Sequence, residues 1–101
     1  LKKHYAPATT TILTDNIEHS IQHYSDRKVG LLLFKPPLNN QENRVVEVLS
    51  VTGNLKEAAK NLYAALHRLD RLKLDIIIVE KMPHVSLGKS INDRLQRAVE
   101  K

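Results

Sequence analysis

The pattern of this chain predicts an α/β fold: one layered domain built on a mainly parallel, four-stranded sheet with about three helices. Three observations carry that reading. Apolar stretches of strand length recur, at residues 29–34, 45–49 and 75–80, with little alternation, as expected of strands buried on both faces. Between them lie segments with apolar residues at 3–4 spacing, the mark of a helix with one buried face. The resulting order is strand, helix, strand, strand, helix, strand, helix, in which strands follow helices directly.

Residues 1–9 have no period, and Pro7 bars an early helix, so they read as an arriving linker. Residues 10–101 then form a single domain. Thr10 to Leu13 are β-branched and apolar, a short strand. Asp15 stands three residues before Glu18, a capping-box spacing that opens a helix carrying Ile17, Ile21 and Tyr24 on one face and stopping near Asp26. Val29 to Phe34 is the second strand, and Pro36-Pro37 ends it. The polar residues 36–44 form a loop, the segment expected to be most mobile. Val45 to Leu49 is the third strand. Asn54 caps the second helix, with Glu57 at the box position and a stripe of Leu55, Ala58, Ala59, Leu62, Leu66 and Leu69. Asp75 to Glu80 is the fourth strand. After Pro83 comes a loop, then a last helix with Ile91, Leu95 and Val99 on one face. A parallel crossover needs about a dozen residues, and this connection is barely long enough, which leaves open whether strands two and three are parallel, antiparallel or non-adjacent.

Composition narrows the function classes. With 42% hydrophobic residues the chain is globular, and with only 4% aromatics its core must be aliphatic. There is no cysteine, hence no disulfide framework, which suits a reducing compartment. No apolar run approaches the roughly 18 residues of a membrane span. The start at Leu1 suggests a trimmed fragment. The formal net charge of +5 invites an RNA-binding reading, but the cations are scattered and no aromatics interleave with them. Direct tRNA binding is not expected.

Ligands of open parallel sheets gather beyond the carboxyl ends of the strands. Two segments lie there, each before a helix: Ser50, Thr52, Gly53 and Asn54, and then Ser86, Gly88, Lys89 and Ser90. Backbone N–H groups at a helix start favour an anion, which makes these residues candidate anion ligands. Equally, Asn54 and Ser86 serve simply as N-caps and the glycines as turn residues. Gly88-Lys89-Ser90 is not a P-loop, because the required first glycine is replaced by Pro83. His19 and His23 have a metal-gripping i, i+4 spacing but no third ligand, so no metal site is expected. No general acid–base pair stands out.

One ordered set of motifs goes further. His4-Tyr5-Ala6-Pro7 is followed by Leu49-Ser50, Thr52-Gly53-Asn54-Leu55 and Glu57-Ala58-Ala59. Next come Asn61 to Leu66, Leu69-Asp70 and Asp75-Ile76-Ile77. Leu87-Gly88, Ile91 to Leu95 and Arg97-Ala98 close the set. It resembles the accessory C-terminal domain of the two-domain threonylcarbamoyl-adenylate synthases. That resemblance implies a Rossmann-like domain, cytoplasmic and without catalytic groups or cofactor of its own. It implies a parent enzyme that joins threonine, bicarbonate and ATP, with Mg, into threonylcarbamoyl-AMP for modification of adenosine 37 of tRNAs. The chemistry would sit in a larger N-terminal domain, the partner of this one. The linker residues His4, Tyr5 and Pro7 would form a lid over its nucleotide site. Two departures stand out: Ser86 and Lys73 occupy positions where the family often has glycine, and Lys73 would be strained if its φ is positive. The alternatives are a stand-alone module binding a nucleotide or phosphate at 50–54 and 86–90, or a docking surface for self-association or for tRNA-modification proteins.

Overall fold

A computed structural model describes residues 6–39, 41 and 44–100. The elements are β1 (Thr11–Thr14), α1 (Ile17–His23), β2 (Val29–Leu33), β3 (Val45–Val48), α2 (Leu55–Asp70), β4 (Ile76–Glu80) and α3 (Ser86–Val99). They form one sheet in the order β1-β4-β2-β3 with every pairing parallel, so the α/β class read from the sequence holds.

Strand alternation divides the apolar residues between two faces. Leu32, Ile77 and Val79 point to the face covered by α2 and α3, where Leu62, Leu66, Leu69, Ile91 and Leu95 complete the larger core. Leu31, Leu33, Ile76 and Ile78 point to the other face, covered by Ile17 and Ile21 of the short α1. Only β2 and β4 are buried on both faces. The expectation that the third strand is doubly buried is corrected: β3 is an edge strand, with Val45 39% exposed.

Strands two and three, whose pairing the sequence leaves open, are adjacent and parallel, with Gly30 opposite Val45 and Leu33 opposite Val48. The connection 34–44 is just long enough to carry the chain back to the amino end. The ladder continues past the strands through Leu49 N–H to Leu33 O (2.8 Å) and Ser50 N–H to Phe34 O (2.9 Å).

Helix starts show the capping chemistry at work. In α1 the cap is Asn16, not Asp15: its Oδ1 accepts from His19 N–H at 3.0 Å. The Thr14 hydroxyl holds the Asn16 backbone on both sides, accepting from its N–H and donating to its carbonyl, which moves the start one residue on. The helix ends at His23, short of Asp26. In α2 Asn54 is the cap, as expected, accepting from Glu57 N–H at 2.9 Å.

Both positions that depart from the resembled family's glycines have left-handed backbone: Lys73 at φ 58° and Ser86 at φ 41°. A side chain at such a position costs about 1 kcal/mol relative to glycine. Lys73→Gly therefore raises stability by about 1 kcal/mol, read as a higher urea midpoint at unchanged slope.

Candidate functional site at the two edges of the sheet

Because all four strands run the same way, the domain has two unlike edges. The amino edge receives the linker. Of the residues expected to form a lid, His4 and Tyr5 lie outside the described residues; Pro7 is described and is buried against the domain. Directly after it, Ala8 N–H donates to Asp70 Oδ2 at 3.1 Å and Thr9 N–H donates to Asp70 Oδ1 at 2.9 Å. The Thr11 hydroxyl donates to Thr9 O at 2.9 Å, carrying the grip into β1.

Asp70 is the last residue of α2. A carboxylate there faces the negative end of the helix dipole, an unfavourable placement. Two charge-assisted hydrogen bonds from the linker backbone offset it. The Leu69-Asp70 pair was visible in the sequence, but its role was not. The available signal was an acid at a helix C-terminus.

The carboxyl edge holds the candidate anion ligands. Ser50, Gly53 and Asn54 form a tight turn, with Gly53 at φ 77° and Gly53 N–H bonded to Ser50 O. Ser50 Oγ accepts from Asn54 N–H (2.8 Å) and donates to Glu57 Oε1 (2.6 Å). Glu57 thus places a negative charge in the first turn of α2, where a bound anion would also sit. Thr52 is exposed beside this turn. The second segment is not a loop: Ser86, Gly88, Lys89 and Ser90 all belong to the first turns of α3. Ser86 is not its cap. The cap is Val85, which has no side-chain hydrogen bond to give. The two segments adjoin, Thr52 and Asn54 lining one shallow depression with Leu87.

The Arg68–Glu47 pair is structural. Arg68 forks onto Glu47 at 2.8 and 2.9 Å, tying α2 to the edge strand, and that hydrogen bond raises the guanidinium pKa further. Among the described residues no three His, Asp or Glu side chains converge as a metal site, and His19 and His23 are both exposed. No helix among the described residues is long and apolar enough to cross a membrane.

Residues 1–99 match the family described as "Threonylcarbamoyl-AMP synthase, C-terminal domain". The chain belongs to this family. A Bacillus subtilis threonylcarbamoyl-AMP synthase is 32% identical over 94% of this chain, and the Pyrococcus abyssi threonylcarbamoyl-AMP synthase 27% identical over 95%. The crystal structure of P. abyssi Sua5 complexed with L-threonine superposes with a TM-score of 0.73 at 26% identity, covering 97% of this chain. The chain spans only 29% of the length of each of those two curated relatives. The four-stranded, all-parallel sheet with three helices is therefore the fold of the family's C-terminal domain.

Proposed function

We propose that this domain is non-catalytic by itself and serves as the seat of a lid. Its linker, through His4, Tyr5 and Pro7, closes over the nucleotide site of an N-terminal catalytic domain in the same polypeptide. That domain joins threonine, bicarbonate and ATP into threonylcarbamoyl-AMP, releasing diphosphate, in the cytoplasm where tRNA is modified. ATP and its Mg belong to the catalytic domain.

What supports this reading, beyond family membership, is the way the linker is rooted. Pro7 is buried and the next two amides are held by the Asp70 carboxylate. Residues 7–9 therefore form a fixed base for the segment at the amino edge. A lid gains most from such a base, because closure must exclude water from a hydrolysable carbamoyl-adenylate. Tyr5 supplies an aromatic surface with a hydroxyl for that closure.

The test is Tyr5→Ala in the full-length protein. Adenylate yield is expected to fall about ten-fold, with the melting transition unchanged. An unchanged yield reduces the linker to a tether.

A further inference from the structure

The connections that leave β2 and β4, neighbours in the sheet, run in opposite directions. The one after β2 goes to β3; the one after β4 goes to α3, which packs beside β1. Adjacent parallel strands whose connections diverge leave a crevice beyond their carboxyl ends. Here that crevice is a cavity of about 810 Å³, within the range of small-molecule sites. Leu31 and Leu33 form its floor, Ile17 and Ile21 its α1 wall, and Met82 and Pro83 its far side.

Among the polar residues lining this cavity, Glu80 is fixed by the sheet. Glu80 ends β4, and alternation puts its side chain on the α1 face with Ile76 and Ile78. Phe34 N–H donates to Glu80 Oε1 at 3.0 Å, so the carboxylate is held in place across the two strands with Oε2 left for a second donor. Asp15 and Glu18, at the start of α1, line the same space. Of the cations at its mouth, Lys81 and His84 are exposed, and the Lys35 stem lies along Gly53 towards α2.

Backbone donors are scarce. Pro36, Pro37 and Pro83 have no N–H. Phe34 N–H is taken by Glu80, Met82 N–H by Asn92 Oδ1, Lys81 N–H by Thr14 O and Val85 N–H by Pro83 O. A phosphate is held by a nest of free N–H groups, and the N–H groups of Phe34, Lys81, Met82 and Val85 are already engaged. A carboxylate fixed in an apolar cavity instead suits a protonated amine.

We propose that this cavity binds an organic amine, its ammonium group on Glu80 and its apolar body against Leu31, Leu33 and Ile17. In a chain of formal charge +5, this is where carboxylates collect inside a concave apolar surface. The site is independent of the lid, which is rooted at the opposite edge of the sheet.

The test titrates the 101-residue chain with 2-phenylethylamine, followed by amide chemical shifts, at fixed ionic strength. 2-Phenylethanol and 3-phenylpropanoate serve as neutral and anionic analogues. The amine is expected to saturate with a millimolar dissociation constant, the alcohol to bind about ten-fold more weakly and the carboxylate not at all. Glu80→Gln keeps an oxygen for Phe34 N–H but removes the charge. It should weaken the amine about ten-fold and leave the alcohol unchanged. Ile17→Trp, at a half-exposed wall position, should fill the cavity and abolish binding of both. With cooperative melting confirmed for each protein, three results would each overturn the proposal. They are no saturation by the amine at about 20 mM, equal binding of amine and carboxylate, or undiminished amine binding to either variant.

Discussion

Replacing Gly88 with alanine lowers the unfolding free energy of the domain by about 3 kcal/mol, the upper range for forced overpacking of a closed site. Gly88 is buried in the first turn of α3, and a Cβ there would fall on the Pro83 carbonyl oxygen. That oxygen belongs to the backbone and cannot swing aside like a flexible side chain. It already accepts Val85 N–H at 2.9 Å. The residue before it, Met82, is pinned by the buried Asn92 amide, which accepts from Met82 N–H (2.8 Å) and donates to Met82 O (3.0 Å). Relief therefore requires moving the whole start of α3, whose left-handed Ser86 is already under strain. Urea unfolding measures the loss. Ser90→Ala, an exposed position two residues on, should stay within about 0.5 kcal/mol of the parent. Equal midpoints for the Gly88 variant and the parent would show that the glycine is not needed for the approach.

Asp70→Ala in the full-length protein lowers adenylate formation by ten- to a hundred-fold, roughly the penalty for misplacing a closing element by an ångström. The same change in the 101-residue chain should alter stability by only about 1 kcal/mol, since two lost hydrogen bonds are partly offset by relief of the charge at the helix end. The separation of the two effects is what distinguishes a positioning residue from a merely stabilising one. Asp70→Asn retains one acceptor oxygen and a single amide grip, so its activity should fall between. Full activity in Asp70→Ala would mean that the linker finds its place without this anchor.

The fold was legible wherever local chemistry decides it. The Asn54 cap, the stripe from Leu55 to Leu69 and the buried runs of β2 and β4 are each written in a few neighbouring residues. So was the strain at Lys73. The pairing of β2 with β3 was not, because a connection at the edge of the feasible length leaves direction undecided. The start of α3 was misplaced because Val85 takes an extended cap conformation without a capping side chain to announce it. The sites divide in the same way. Ser50 and Asn54 could be placed at a strand end from sequence, but the proton donated by Ser50 to Glu57 joins groups seven residues apart. Asp70 with Ala8 and Thr9, and Glu80 with Phe34, become neighbours only when the sheet assembles across 62, 61 and 46 residues. No local pattern encodes such contacts.

The central claim is that this domain seats a lid and performs no bond-making alone. The most direct measurement is diphosphate release from ATP in the presence of threonine and bicarbonate, run side by side on the 101-residue chain and on the full-length protein. Release by the full-length protein, with the isolated chain at the level of buffer, is the expected result. Threonine-dependent diphosphate release by the isolated chain would contradict it.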